Sequence, residues 1–597
     1  MPDLLRDRAA EDPGGVALRV GEDDELTFET WDRRSNAAAR GLAERGVRPG
    51  DRVALVFDNH GWVDYAVGYL AVLRSGGVAV PLGARFSGPE LDRVIEHCGA
   101  SGIVHRGLTA PGRAGAALGA SSGHPWRAEP TALEVGQDPS PFQAPIGPDD
   151  LAEILYTSGT TGLAKGVACT HLSITAHDLP PDAGAAGGLA ANGPVSFLHA
   201  FPIGTQAGQE TLRVPLRIGG RTAIVLPAFD AEILATLVAR HRVARLQLVP
   251  AMAQVLVSSG TAQRHDLSSV RRVILSSAPA SPTLFSRLAE AFPNASLWNA
   301  YALTEAGAAR TITEYDPRRP TAVGRPIGAT EVRIVDETGE VAGQGETGEV
   351  WLRRRGTPPR TYYRDPDATA AAFTDGWART GDLGWLDAGG NLYLADRKKD
   401  LVISGGSNVS SVEVEHLLAA HPRVADVAVF GVAHPVLGED VAAAVVLTPA
   451  DERPDDAAVA AVARALQDFV RSRLAEYKVP HRVVFVDHLP RNASGKVLKG
   501  ELRERFGGQA EDVAYVAPRT ATETAVATAW AAVLAVPRVG ANDDFFALGG
   551  HSLAAAQVAA RLRDVLGVEV AVTAVFEAPT VSELASMLDA MVATNTG

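Results

Sequence analysis

The sequence predicts a multidomain α/β protein with a helical bundle at its C-terminal end, and three observations support this fold class. The chain has 597 residues, too many for one hydrophobic core, which suggests three or four folding units. From about residue 26 to residue 320, short apolar runs such as residues 52–57 and 222–227 alternate with stretches of helical period such as residues 28–47. This alternation is typical of parallel sheets covered by helices. The third observation is a series of helical segments after residue 524.

A different pattern begins near Gly324. Strand-like runs at residues 332–336, 348–353 and 391–396 are separated by glycine and aspartate turns, which predicts a smaller, twisted β subdomain. We therefore assign residues 1–399 to a large N-terminal domain made of two α/β sheets and this β subdomain.

The remainder of the chain divides into three parts. Residues 400–506 mix strand-like runs with a helical segment at residues 457–474, and we expect a small, mobile α+β domain there. Residues 507–523 are rich in Gly, Pro, Ala and Thr without an apolar period, which marks a linker. Residues 524–597 are predicted to form a four-helix bundle. This end is acidic, because residues 520–597 contain 8 acidic and 3 basic side chains.

Composition excludes several classes of function. A net charge of −14 and a pI near 5.6 argue against nucleic acid or an anionic membrane surface as a partner. Two cysteines, Cys98 and Cys169, are too few for a disulfide framework or a cysteine zinc site. The first residues lack the apolar core of a signal peptide, and no apolar run reaches 18 residues. We expect a cytoplasmic protein.

The segment LYTSGTTGLAKG (155–166) has the composition of a phosphate-binding loop. Glycines let backbone amides turn inward, hydroxyls add donors, and a lysine brings a positive charge, which together suit a polyphosphate. The spacing differs from a Walker loop, and a flexible turn is the alternative. The candidate phosphate-binding residues here are Thr157, Ser158, Gly159, Thr160, Thr161, Gly162 and Lys165.

This loop resembles that of the adenylate-forming family, which includes acyl- and aryl-CoA ligases and the adenylation domains of nonribosomal peptide synthetases. The resemblance extends over about residues 1–506. Four further motifs carry it: NAYALTE (299–305), ARTGDL (378–383), DRKKDLVISGG (396–406) and LPRNASGKVLKGELR (489–503).

The resemblance implies a role for each matching residue. Asn299 and Tyr301 would contact the adenine side of ATP, and Thr304 and Glu305 would hold phosphate and Mg²⁺. Asp382 and Arg397 would bind the ribose of ATP, and Asp400 would be the hinge between the large and small domains. Gly405 and Gly406 would line the pantetheine tunnel, and Lys496 would be the catalytic lysine.

Physical chemistry supports these roles independently. Joining a carboxylate to the α-phosphate of ATP brings two anions together, so the site must supply positive charge in the transition state. Lys496 and a Mg²⁺ held by Glu305 would supply it. Ala164, Ala302 and Leu303 depart from the residues usual in the family, which affects the shape of these loops more than their charge.

The segment LGGHSL (548–553) resembles the attachment motif of a peptidyl or acyl carrier domain. Ser552 would carry 4′-phosphopantetheine, added by a phosphopantetheinyl transferase, and a helix N-terminus there would favour the phosphodiester. The alternative is that Ser552 is only a helix N-cap.

The substrate is predicted to be a small carboxylic acid without an α-amino group. Amino-acid-activating relatives usually place an aspartate after the phosphate loop, whereas residues 194–220 contain no aspartate and a single acid, Glu210. The pattern FLHAFP (197–202) resembles the aryl- and fatty-acid branch, in which a histidine such as His199 lies near the reacting carboxylate. An amino-acid substrate and a core role for His199 stay open.

The expected cycle has two half-reactions. Lys496 closes on ATP and the acid to give acyl-AMP; the small domain then swings about Asp400, and the arm on Ser552 accepts the acyl group past Gly405 and Gly406. A downstream enzyme would take the product in trans, in nonribosomal-peptide-type biosynthesis. The alternatives are a ligase that uses free CoA and an inactive carrier or docking module.

Overall fold

The computed structural model describes the chain except for residues 23, 84–85, 87, 107–125, 158–163, 177–194, 405–406, 435–436, 449–455, 493–494, 508–514, 535, 544, 546–547, 549–551, 569, 572–573, 576–577 and 596–597. For residues 456–458, 460, 552–553, 556 and 592–595 it describes the backbone alone.

The chain divides into two compact units. The larger contains Met1–Lys398 and Arg491–Lys496, and the smaller contains Lys399–Pro490 and Val497–Gly597. The segment that carries Lys496 therefore groups with the larger unit.

A seven-stranded sheet lies in the N-terminal part of the larger unit. Its strands are β3 (Arg52–Phe57), β4 (Val78–Gly83), β5 (Gly102–His105), β6 (Trp126–Ala128), β7 (Leu151–Thr157), β8 (Lys165–Thr170) and β18 (Thr361–Tyr362). They follow the order β18-β8-β7-β4-β3-β5-β6, with parallel pairs from β7 to β6 and antiparallel pairs at β8 and β18. Apolar runs such as residues 52–57 form these strands because parallel strands are covered on both faces.

A 14-stranded sheet forms the remainder of the larger unit. Its strands are β1 (Val16–Val20), β2 (Asp24–Thr27), β9 (Val195–His199), β10 (Arg221–Val225), β11 (Arg245–Leu248), β12 (Arg272–Leu275), β13 (Ser296–Ala302), β14 (Arg310–Glu314), β15 (Ala322–Pro326), β16 (Thr330–Val335), β17 (Gly348–Arg354), β19 (Phe373–Thr374), β20 (Trp377–Leu386) and β21 (Leu392–Arg397). The half from β9 to β13 is parallel, and the half from β14 to β21 is antiparallel. The predicted β subdomain is thus continuous with the second α/β sheet through β13 and β14.

Helices cover these sheets. They are α1 (Pro2–Glu11), α2 (Phe28–Glu44), α3 (Trp62–Arg74), α4 (Gly88–Cys98), α5 (Pro130–Glu134), α6 (His171–Thr175), α7 (Gln206–Arg217), α8 (Ala231–His241), α9 (Pro250–Ser258), α10 (Thr261–Arg264), α11 (Pro282–Ala291) and α12 (Pro366–Ala372), with a 3₁₀ turn at Asn59–Gly61. Several of these helices begin at polar caps: Asp230, for example, accepts a hydrogen bond from Ile233 N at 2.9 Å at the start of α8. Trp31, Trp62, Tyr65 and Tyr69 are fully buried between α2, α3 and the sheets.

The smaller unit begins with a five-stranded sheet. It contains β22 (Val402–Ser404), β23 (Ser407–Val409), β24 (Val424–His434), β25 (Gly438–Leu447) and β26 (Arg482–Phe485). Its helices are α13 (Ser411–Leu418), α14 (Asp456–Arg471) and α15 (Lys499–Phe506), and a 3₁₀ turn spans Glu476–Lys478. This arrangement is the small α+β domain that the sequence predicts.

The C-terminal part is helical. Within the described residues its helices are α16 (Ala521–Leu534), α17 (Ser552–Leu566) and α18 (Val581–Asn595). They enclose a core of their own that includes Trp530, Phe545, Leu562 and Leu588, with the Trp530 and Phe545 rings 5.1 Å apart. The fold class is confirmed: a large α/β domain, a small α+β domain and a helical domain follow one another. None of the helices in the described ranges is long and apolar enough to cross a membrane.

Candidate active site

Three of the predicted nucleotide-binding residues meet where the parallel and antiparallel halves of the large sheet join. Tyr301 lies on β13, and its hydroxyl donates a hydrogen bond to Asp382 Oδ2 at 2.6 Å. Asp382 on β20 faces Arg397 on β21 across the ladder, and Arg397 Nε lies 3.0 Å from Asp382 Oδ1. Asp382 is only 5% exposed, so this carboxylate is held in place from two sides. Burial and the neighbouring Asp382 charge raise the pKa of Tyr301 well above its usual range, so the hydroxyl stays a donor.

Asn299 lies two residues before Tyr301 on the same strand. Its side chain is buried, and Nδ2 donates to the carbonyl of Ala322 at 3.1 Å. This bond ties β13 to the start of β15 and keeps the polar end of β13 beside the Tyr301 and Asp382 pair. Its contact with adenine stays a prediction.

The predicted metal ligand Glu305 lies in the turn after β13. Its Oε1 accepts a hydrogen bond from the Tyr362 hydroxyl at 3.0 Å and lies 3.5 Å from Thr157 Oγ1. Lys165 Nζ lies 5.1 Å from the centroid of the Tyr362 ring, a cation–π distance. The structure therefore brings Thr157, Lys165 and Glu305 together around Tyr362, a residue that the sequence motifs do not indicate.

This donor set fits Mg²⁺. Magnesium takes oxygen ligands and is commonly bound through one or two carboxylates plus substrate phosphates and water. Glu305 offers one carboxylate beside a lysine suited to phosphate, and the described part of the chain contains no cluster of three His, Cys, Asp or Glu side chains that would hold a metal by itself.

A second residue outside the motifs, Arg360, supports the same turn. The side chain is 4% exposed, and its Nη1 donates to the carbonyl of Thr304 at 2.5 Å and to Gln206 Oε1 at 3.0 Å. The sequence motifs do not indicate Arg360 or Tyr362, because Tyr362 lies in the two-residue strand β18 and Arg360 directly precedes it. This strand is far along the chain from Thr304 and Glu305.

His199 is a fully enclosed side chain at the end of β9, 1% exposed. Its Nδ1 accepts the backbone N–H of Phe201 at 3.0 Å, so in the neutral ring Nε2 carries the proton and bonds to Thr211 Oγ1 at 2.7 Å. Burial lowers the pKa of His199 to about 3, which keeps it neutral. Both ring nitrogens are engaged within the protein, which fits the core-histidine alternative. A contact with the substrate carboxylate stays a prediction.

Glu210, the single acid of residues 194–220, pairs with arginines on its own helix. Its carboxylate lies 2.9 Å from Arg217 Nη2 and 3.7 Å from Arg213 Nη1. Arg213 also pairs with Glu153, and both of those side chains are buried. Because two guanidinium groups already neutralise this carboxylate, it is poorly suited to bind a substrate ammonium group.

Lys496 ends a tight turn. The backbone N–H of Lys496 donates to Asn492 Oδ1, and the N–H of Asn492 donates to the carbonyl of Lys496, both at 2.9 Å. Gly495 has φ +79°, and a Cβ there would lie 2.8 Å from Val249 Cγ2. The turn approaches the start of α9 so closely that any side chain at residue 495 would require Val249 to shift, and the positive φ also favours glycine.

Asp400 is buried in the smaller unit, and its Oδ1 lies 3.2 Å from Arg503 Nη2 on α15. This ion pair ties the first residues of the unit to α15, and the hinge role stays a prediction. Other predicted residues lie outside the described chain: Ser158, Gly159, Thr160, Thr161, Gly162, Gly405 and Gly406. Ser552 is the first residue of α17, but its side chain is not described.

Fold and site together define an adenylate-forming ligase with a fused carrier domain. The family model for AMP-binding enzymes matches residues 5–363, the model of their C-terminal domain matches residues 413–496, and the phosphopantetheine attachment site model matches residues 524–588. The chain belongs to the AMP-binding enzyme family.

Its relatives act on several acids. Feruloyl-CoA synthase of an Amycolatopsis species is 34% identical over 510 residues, which covers 84% of this chain and 98% of the relative. The fatty acid–[acyl-carrier-protein] ligase ScoC of Streptomyces coeruleorubidus is 32% identical over 504 residues, 81% of this chain and 92% of the relative. Among solved structures, ATP-bound MatB from Rhodopseudomonas palustris has a TM-score of 0.73 and 30% identity and covers 85% of this chain and 99% of that one.

Proposed function

We propose that this protein activates a carboxylic acid with ATP as acyl-AMP and transfers the acyl group to a phosphopantetheine thiol on Ser552 of the same chain. The observation that carries the proposal is that the larger unit contains two clusters of side chains. In the first, Tyr301 and Arg397 contact Asp382, and in the second, Tyr362 contacts Glu305. The fused phosphopantetheine attachment domain supports transfer within the chain.

In the first half-reaction a carboxylate oxygen attacks the α-phosphorus of ATP, an acyl–phosphate bond forms, and pyrophosphate leaves. Asp382 accepts hydrogen bonds from the ribose hydroxyls, Lys165 and Thr304 bind phosphate oxygens, and Lys496 stabilises the charge that develops at the α-phosphate. Mg²⁺, held by Glu305, supplies further positive charge when bound.

In the second half-reaction the acyl carbon passes from the AMP oxygen to sulfur, AMP leaves, and the thiol proton goes to solvent. Phosphopantetheine on Ser552 supplies that thiol when bound. Asp400 serves as the hinge of this step, and the pantetheine tunnel is assigned to Gly405 and Gly406 on the motif resemblance alone.

The substrate is an aryl or other acyl acid without an α-amino group. The arginine pairs of Glu210 support this class, because they occupy the single acid in the segment that would otherwise hold an ammonium group. Feruloyl-CoA synthase and the fatty acid ligase ScoC, named for acids of this kind, are consistent with it. The loaded carrier then serves a downstream enzyme in trans in nonribosomal-peptide-type secondary metabolism.

A pyrophosphate-exchange screen of aryl, fatty and amino acids tests the substrate class. We expect the strongest exchange with an aryl or fatty acid. Exchange with an α-amino acid alone would overturn this class and favour an amino-acid-loading didomain.

A CoA ligase is the second candidate, because feruloyl-CoA synthase is similar to this chain over 98% of its own length at 34% identity. Supplying free CoA and the phosphopantetheinylated chain in separate reactions decides between the two acceptors. Faster acyl transfer to free CoA than to the chain's own arm would favour the CoA ligase.

A further inference from the structure

Arg360 is a buried cation that the reaction described so far does not use. No carboxylate among the described residues forms an ion pair with it, and its Nε and Nη2 have no hydrogen-bond partner within those residues. Burying a guanidinium group in this way costs stability, so its position calls for a functional reason.

The contacts of Arg360 join three separate segments. Its own segment enters β18, which pairs with β8, the strand that begins with Lys165. Nη1 reaches the carbonyl of Thr304 and the side chain of Gln206, the first residue of α7. The turn after β13 is therefore attached to both the phosphate-binding side and the helix after His199.

Tyr362, two residues further along, contacts the next residue of the same turn. Arg360 donates a hydrogen bond to the Thr304 carbonyl, and Tyr362 donates one to the Glu305 carboxylate. Two neighbouring residues of the turn are therefore bound by two residues that lie two positions apart in the other segment. Alternate residues of an extended segment face the same side, which explains how both reach the turn.

Space for the guanidinium group comes from a glycine. Gly307 has φ +64°, and a Cβ at that position would lie 2.9 Å from Arg360 Nε. The missing side chain at Gly307 thus leaves space in which the Arg360 guanidinium packs against the turn.

We propose that Arg360 is a positioning residue for adenylation: it fixes the turn that presents Thr304 and Glu305 to MgATP. The inference rests on the roles proposed above for those two residues. Arg360 acts through the turn, so its loss weakens MgATP binding and leaves acid binding nearly unchanged.

Arg360→Met tests this, because it keeps the side-chain length and removes the donors. Calorimetric titration with MgATP needs no acid, and we expect the Kd of R360M to rise about 10-fold or more, as the loss of a hydrogen bond from a charged group predicts. Arg360→Lys restores one donor and should give an intermediate Kd. The acid concentration for half-maximal pyrophosphate exchange should change less than about 2-fold.

Arg353→Met is the matched control. Arg353 and Arg360 line one small cavity beside the turn that contains Glu305. The Arg353 guanidinium, however, donates to Glu331, with Nε 2.7 Å from Oε2, so the Kd of R353M for MgATP should equal that of the unchanged protein. If R360M does not fold, the test depends on R360K alone. A Kd of R360K for MgATP equal to that of the unchanged protein would then overturn the proposal. An R360M Kd within 2-fold of the unchanged protein, or an effect of the same size in R353M, also overturns it. Absence of exchange in the unchanged protein would instead count against the proposed function.

Discussion

The Tyr301 hydroxyl and the Asp382 carboxylate lie 2.6 Å apart and join β13 to β20 across two halves of one sheet. Arg397 completes the arrangement from the opposite side of the carboxylate. Because Tyr301 and Arg397 hold Asp382 from two sides, its oxygens need little reorganisation to accept hydroxyl hydrogen bonds.

Asp382→Asn should weaken ATP binding strongly, because the neutral amide loses the charged acceptor and the ion pair with Arg397. We expect the ATP concentration for half-maximal pyrophosphate exchange to rise about 10- to 100-fold. Tyr301→Phe removes one hydrogen bond and leaves the charge, so its effect should be smaller. An unchanged ATP dependence in D382N would exclude the ribose role.

Lys496→Ala should abolish acid-dependent pyrophosphate exchange and leave transfer from supplied acyl-AMP to the carrier intact. The reason is that its charge stabilises the adenylation transition state and not the thioester-forming one. Stopped reactions with synthetic acyl-AMP measure the second step. Equal loss of both steps would contradict this division.

Gly495→Ala should slow adenylation selectively, because the new Cβ would collide with Val249 and alanine is strained at φ +79°. We expect exchange to fall at least about 10-fold, which corresponds to the 1–2 kcal/mol of strain typical of such a position. Gly500→Ala is a matched control, since a Cβ there meets no atom within 4 Å. Equal rates for the two variants would show that the approach to Val249 is unimportant.

The burial of His199 predicts that the folded state of the larger unit loses stability in acid. The pKa of His199 falls to about 3 in the folded state, so between about pH 6.5 and pH 3 the unfolded chain binds a proton that the folded chain does not. Stability should therefore decrease as the pH falls through that window, by up to about 1.4 kcal/mol per pH unit for this group. Burial lowers the pKa of His171 to about 4, and this residue adds to the effect in the larger unit. Burial also lowers the pKa of His416 to about 4, which should give the smaller unit the same kind of acid sensitivity.

His199→Asn keeps an acceptor for the Phe201 N–H and removes the titrating ring. Urea unfolding at pH 7 and pH 5 should show a smaller pH dependence for H199N than for the unchanged protein. An identical dependence would mean that His199 does not contribute.

The sequence was sufficient for the order of domains, and it indicated Tyr301, Asp382 and Arg397 as candidates because each lies in a local motif. The contact between these three side chains comes from the structure. It did not indicate Arg360 or Tyr362, since β18 is too short to show a strand period and its partner β8 is distant in the chain. The burial of His199 also could not be predicted, because Trp62 and Thr211, which contact this strand residue, come from the helices α3 and α7.

The mass of the phosphopantetheinylated chain after incubation with ATP and the best acid tests the central claim most directly. We predict a gain equal to the acyl group on the peptide that contains Ser552; S552A should show no gain while its acid-dependent pyrophosphate exchange persists. Acyl-CoA formation without any gain on that peptide, or loss of exchange in S552A, would contradict the account.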